Sequence, residues 1–157
     1  NILSENEAIA PLLHERDFPT VITPHPLEAA RLLNTTSDTI QSNRLEAARE
    51  LARRFTAIAV LKGSGTVIAA PDGKTVINPT GNPALATAGT GDVLSGITGA
   101  LIAQGWPAWE ATLAAVWLHG KAADTIAQNH HGTIGMTAGE LAPEVRFQLN
   151  LLIEEKA

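Results

Sequence analysis

At 157 residues the chain is one domain's worth of polypeptide, and 45% apolar against 17% charged residues is the balance of a globular protein, not of a disordered one. A net charge of −5, with eleven Lys and Arg scattered and Arg53-Arg54 the only adjacent pair, excludes the basic footprint of a nucleic-acid-binding surface and argues against an anionic membrane. Cysteine is absent, no run reaches the roughly 18 apolar residues of a spanning helix, and the opening NILSENEAIA lacks the basic region of a signal peptide, so a cytoplasmic protein without disulfides is expected.

Ser4-Glu5-Asn6-Glu7 has the pattern of a capping box and predicts a helix over 5–14. Thr20-Val21-Ile22-Thr23 is a short β-branched run closed by Pro24, the signal of a buried strand. Pro26 suits a first helical position, and Glu28 to Leu33 continues a short helix. From Asp38 to Phe55, apolar residues at Ile40, Leu45, Ala48, Leu51, Ala52 and Phe55 recur on one helical face, which predicts a single helix. Ala57-Ile58-Ala59-Val60-Leu61 reads as a strand buried on both faces. Thr66 to Ala70 and Thr75 to Ile77 flank Pro71-Asp72-Gly73-Lys74 as a β-hairpin. Helices are expected over Val93–Gln104, Pro107–Gln128 and Thr137–Ile153, the last with a capping box at Thr137 and Glu140. No repeat or linker divides the chain, so residues 1–157 are expected to form a single α/β domain. Two core strands and a hairpin are few for a nucleotide-binding sheet, which points to the second half of a larger fold.

Three stretches carry chemistry. In Thr87-Ala88-Gly89-Thr90-Gly91-Asp92 the glycines permit close backbone approach to a ligand, and the helix that follows presents unpaired N–H groups. Together these suit a phosphoryl group, with Asp92 at the edge to take a proton from an incoming hydroxyl. The plain alternative is an acid favoured by a helix start. The stretch is neither GxxxxGK[ST] nor GxGxxG. Lys62-Gly63-Ser64-Gly65-Thr66 follows a strand, where open α/β sheets bind ligands, although a tight turn with a solvated Lys fits as well. Thr23-Pro24-His25-Pro26-Leu27-Glu28 also follows a strand; its prolines fix the backbone around His25, which is either a binding residue or a helix cap. His25 and Glu28 alone make a weak metal site. His130 and His131 read as loop residues, and His119 as a satisfied core histidine. Gly96 and Gly99 are taken as close-packing positions, and Trp106, Trp109 and Trp117 as packing residues.

In order and spacing, TPHPLEAARLL, VLKGSGTVIAAPDG, NPTGNPALATAGTGDVLSGITGALIAQG and GTIGMTAGEL resemble the ADP/ATP-dependent NAD(P)H-hydrate dehydratases, a branch of the ribokinase-like superfamily. The resemblance covers nearly the whole chain. It implies the C-terminal part of a ribokinase-like α/β/α sandwich with a mostly parallel sheet. It also implies a repair reaction: a nucleotide phosphorylates the hydroxyl of hydrated NADH or NADPH, and phosphate elimination restores the dihydronicotinamide. By that resemblance Asp92 is the base and contacts the reacting hydroxyl, and His25 binds the hydrated cofactor. Lys62, Gly63, Ser64, Gly65, Thr66 and Gly91 hold the ADP or AMP portion, and Mg²⁺ rides on the nucleotide phosphates without a dedicated protein cage.

Two positions depart from the family pattern, which usually has Gly where Leu27 and Ala84 stand. Both add a side chain where backbone approaches ligand and bear on the shape of the hydrate pocket. The family's domains also carry a further N-terminal portion ending in a segment like DADALN, of which Asn1 would be the last residue. The expectation is therefore a C-terminal fragment that binds nucleotide but is a poor catalyst alone. The family further implies homo-oligomers and frequent fusion to an NAD(P)HX epimerase domain. The rival readings are a small-molecule alcohol kinase of the same superfamily and a catalytically silent nucleotide-binding module.

Overall fold

The computed structural model describes Leu3 and residues 9–154, and two compact units divide it: one up to Asn78, the other from Pro79 onward. In the first unit, α1 (Ile9–His14) leads into β1 (Val21–Ile22), α2 (Pro26–Leu32), α3 (Ser37–Ser42) and α4 (Arg44–Phe55). β2 (Ile58–Leu61), β3 (Val67–Ala69) and β4 (Thr75–Ile77) complete it. The capping box expected at Ser4 to Glu7 lies outside the described residues.

The sheet runs in the order β1-β2-β3-β4. β1 pairs parallel with β2 through Val21 opposite Ile58, because three helices intervene and return the chain to the same end. β3 pairs antiparallel with both β2 and β4. The α/β class stands, but the described strands form a mixed sheet and not the mostly parallel one expected. KGSGT is too short for a crossover, so β3 must turn back along β2. The expected hairpin forms as read: Gly73 N donates to Ala70 O (3.0 Å), and Asp72 Oδ1 accepts from Lys74 N (3.1 Å).

All four residues of β2 are buried, as its continuous apolar run requires. Ala59 and Leu61 pack with Leu51, Ala52 and Phe55 of α4 and with Ala29 of α2. Leu51 is fully buried, a gain of about 1.5–3 kcal/mol over an exposed leucine. The single helix expected over Asp38–Phe55 is two. Thr36 caps α3, accepting from Thr39 N, and the chain breaks at Asn43, whose side chain accepts from Glu46 N (3.4 Å) to start α4. Asn43 competes for the backbone locally, which an apolar period spanning the break conceals.

The second unit is helical: a short 3₁₀ turn (Pro83–Ala86), then α5 (Thr90–Ala103), α6 (Ala108–Asn129) and α7 (Ala138–Glu154). Its core gathers Leu118, Ala122 and Ile126 of α6 with Leu141 and Val145 of α7. Glu140 Oε2 accepts from both Thr137 N and Thr137 Oγ1 (2.7 Å each), so the box expected there is formed on its Glu side. Trp117 packs against this core, whereas Trp106 is exposed. A Cβ on Gly96 or Gly99 meets nothing within 4 Å among the described residues, so neither glycine is a close-packing position there. Among the described residues no helix is long and apolar enough to cross a membrane.

Candidate functional site

Because β1 and β2 are parallel neighbours, the loops after their C-terminal ends lie side by side, and Lys62 N donates to Pro24 O (2.9 Å). This places His25, Glu28 and Lys62 together. His25 caps α2: its Nδ1 accepts from Glu28 N (3.2 Å), while Glu28 Oε2 accepts from His25 N (2.7 Å). The helix-cap alternative is therefore realised, and it has a chemical consequence. An acceptor Nδ1 puts the neutral ring's proton on Nε2, which stays available as a donor. Glu28 Oε2 is 3.6 Å from His25 Nε2 and 3.8 Å from Lys62 Nζ, so one carboxylate lies between the two side chains. Leu27, where the resemblance leads one to expect glycine, is half exposed in the first turn of α2, and Ala84 is buried.

The loop Lys62–Thr66 is shaped from beneath by a residue that sequence reading passed over. Arg44 Nη2 donates to the carbonyls of Leu61 (3.1 Å), Lys62 (3.3 Å) and Gly65 (3.4 Å), and Nη1 donates to Gln41 Oε1 (2.7 Å). Gly63 lies against the guanidinium with φ +141°, a conformation that favours glycine, and a Cβ there would sit 2.9 Å from Arg44 Nη1 and displace it. Thr66 Oγ1 closes the loop by donating to Gly63 O (3.0 Å). Burial pushes the Arg44 guanidinium below its ordinary range, and its Nε is buried without a hydrogen-bond partner.

Gly91 and Asp92 belong to the second unit. The helix expected from Val93 begins three residues earlier, at Thr90, so both lie inside its first turn. Gly89, at φ +86°, reverses the chain, and Thr90 Oγ1 is directed at Leu85 O (2.7 Å) and Thr87 O (2.9 Å), which fixes the start. The amides of Asp92 and Val93 both donate to Gly89 O (3.1 Å). Those of Ala88, Gly89 and Gly91 have no acceptor among the described residues. Asp92 is exposed, and its carboxylate has no hydrogen-bond or ion-pair partner among the described residues.

His119 is buried, as expected of a core histidine, but its partner is informative: Nε2 lies 2.9 Å from Thr90 O and donates to it. Asp124, also passed over, accepts from Gly81 N (2.9 Å) and Asn82 Nδ2 (3.0 Å), which fastens NPTGNP to α6. The signal for both was polar residues inside an otherwise apolar helix. Among the described residues no group of three or more His, Cys, Asp or Glu is placed to hold a metal ion.

A family model described as NAD(P)H-hydrate dehydratase matches residues 1–146. The chain belongs to the NAD(P)H-hydrate dehydratase family. It is 50% identical over 130 residues to the ADP-dependent (S)-NAD(P)H-hydrate dehydratase of Neisseria meningitidis serogroup B, covering 83% of this chain and 44% of that protein. The crystal structure of the ADP/ATP-dependent NAD(P)H-hydrate dehydratase from Bacillus subtilis, co-crystallised with ATP/Mg²⁺, matches with a TM-score of 0.79 at 39% identity, over 83% of this chain and 47% of that one. A ribokinase-like superfamily protein from Enterococcus faecalis matches at 26% identity with a TM-score of 0.68, over 91% of this chain and 50% of that one. The ribokinase-like fold that the motifs implied is thereby shown. The chain spans less than half the length of either of these two dehydratases.

Proposed function

We propose that the protein uses ADP or ATP to convert NADHX or NADPHX back to NADH or NADPH. Supporting this is the family match, which runs across both units. The observation that carries the chemistry is Asp92: an exposed carboxylate without a partner among the described residues, in the first helical turn beside the unspent amide of Gly91. Asp92 takes the proton of the ring hydroxyl as that oxygen attacks the terminal phosphorus of the nucleotide, whose ADP or AMP portion departs. The C–O bond then breaks, phosphate leaves, and the ring nitrogen's lone pair fills the vacated orbital; loss of a neighbouring proton restores the dihydronicotinamide. The amides of Ala88, Gly89 and Gly91 hold the charge of the moving phosphoryl group.

In this reading His25 contributes its Nε2–H to the hydrated cofactor. Lys62, Gly63, Ser64, Gly65, Thr66 and Gly91 bind the nucleotide. Mg²⁺ would ride on the nucleotide phosphates and there neutralise the charge of the transferring phosphoryl group. A cytoplasmic homo-oligomer, alone or joined to an epimerase domain, is consistent with such a repair role. The test adds ADP or ATP to NADHX with the intact protein and follows the absorption band of reduced nicotinamide together with inorganic phosphate. Both rise under this reading. Accumulation of a phosphorylated alcohol without either signal would make the protein a kinase.

A further inference from the structure

Arg44 occupies a position that local rules disfavour. It is the first residue of α4, where the helix dipole repels a cation, and its guanidinium is partly buried. A conflict between local preference and observed placement marks a constrained site. What Arg44 obtains there is three carbonyls of one loop, those of Leu61, Lys62 and Gly65. None of these bonds closes a helix or joins a strand pair.

The consequence follows from peptide planarity. Within one peptide unit the C=O and the next N–H point in opposite directions. Drawing the Leu61 carbonyl toward Arg44 turns the Lys62 N–H the other way, and that N–H is found on Pro24 O at 2.9 Å. By the same geometry the Lys62 carbonyl turns the Gly63 N–H away from Arg44. The amides of Gly63, Ser64 and Gly65 donate to no acceptor among the described residues and lie in an exposed loop. One partly buried cation therefore gathers three of the loop's carbonyls on its own side and turns the Gly63 and Thr66 N–H groups away from itself.

We propose that Arg44 is the positioning residue of the Lys62–Thr66 loop, a carbonyl clamp that turns the loop's amides toward the nucleotide without touching it. This rests on the reading of that loop as the nucleotide site. The clamp acts on nucleotide affinity, not on the transfer step, so its signature is a split between KM and kcat.

The experiment titrates ADP into the intact protein and into R44M and R44K, with melting midpoints taken without nucleotide. R44M should raise the Kd for ADP and the KM for nucleotide in parallel, by about tenfold, while kcat at saturating nucleotide moves less. R44K should recover part of the loss, since an ammonium reaches some of the carbonyls but cannot fork across all three. Should R44M fail to fold, G63A disturbs the clamp from the loop side, with its Cβ 2.9 Å from Nη1, and should raise the nucleotide KM likewise. Two results overturn the proposal, and they are distinguishable. If ADP shifts the Gly63–Thr66 amide resonances of the unsubstituted protein but R44M binds ADP as tightly, the clamp is wrong. If ADP leaves those resonances unmoved, the nucleotide-loop reading fails and the clamp with it.

Discussion

Gly120 sits in the interior of α6, where glycine ordinarily costs a helix about 1 kcal/mol relative to alanine. Propensity alone thus predicts that Gly120→Ala stabilises. The structure predicts the opposite sign. A Cβ at this position would lie 2.7 Å from the carbonyl carbon of Thr80 and 2.8 Å from its oxygen. The obstacle is backbone, so it cannot swing aside as a flexible side chain would. Restoring ordinary contact requires the loop to retreat by about 0.7 Å from α6. That loop is tied to the same helix by Thr80 Oγ1 on Trp117 O (3.0 Å) and Gly81 N on Asp124 (2.9 Å), so retreat stretches both bonds. Overpacking costs about 1–3 kcal/mol and each weakened hydrogen bond about 1 kcal/mol, against the gain of about 1 kcal/mol from propensity. The net is a loss of about 3 kcal/mol, or about 6–12 °C in melting midpoint for a chain of this size. Gly96→Ala in α5 is the matched control: its Cβ meets nothing within 4 Å among the described residues, so it should stabilise by about 0.5–1 kcal/mol. Urea denaturation and thermal melts of both variants decide the matter. A Gly120→Ala protein as stable as the parent, or more so, would refute the reasoning.

Other expectations follow from single contacts. His119→Leu removes the donor to Thr90 O and should cost about 1–3 kcal/mol of stability while slowing turnover, because Thr90 begins the turn that holds Asp92. A loss of stability with kcat unchanged at low temperature would make His119 a packing residue only. Hydrogen bonds from the backbone and hydroxyl of Thr137 hold the Glu140 carboxyl below its ordinary value of 4.5. A depressed carboxylate stabilises the fold above its unfolded value, and that contribution fades as pH falls from about 4.5 through the lowered folded one. The melting midpoint should therefore fall more steeply below pH 4.5 in the parent than in Glu140→Gln; parallel curves would show that the bonds contribute nothing.

What the sequence made legible was what short-range patterning encodes. The apolar run Ala57–Leu61 marks a buried strand, Pro71-Asp72-Gly73 marks the hairpin turn, and both are found. The family motifs marked the loops after β1 and β2, and parallel pairing of those strands brings them together. The break at Asn43 was hidden because apolar spacing continues across it, and only a capping side chain interrupts the helix. The start of α5 was placed late because Gly91 reads as loop, whereas the Thr90 hydroxyl bonds that fix the turn run back to Leu85 and Thr87. Arg44 was illegible for a different reason: its carbonyl partners lie at Leu61, Lys62 and Gly65, and no local pattern reports a contact made through the tertiary fold. Glu28 was legible only as part of a motif; its role as the carboxylate between His25 and Lys62 needed geometry.

The central claim is that Asp92 is the base of a nucleotide-dependent dehydration. The most direct measurement compares the parent and Asp92→Asn for recovery of reduced-nicotinamide absorbance from NADHX with ADP or ATP, alongside ADP affinity by calorimetry. The account predicts recovery by the parent, and an Asp92→Asn protein that binds ADP normally but loses about 10²–10⁴-fold in turnover. Turnover within about tenfold of the parent, roughly 1.4 kcal/mol of barrier, would contradict it.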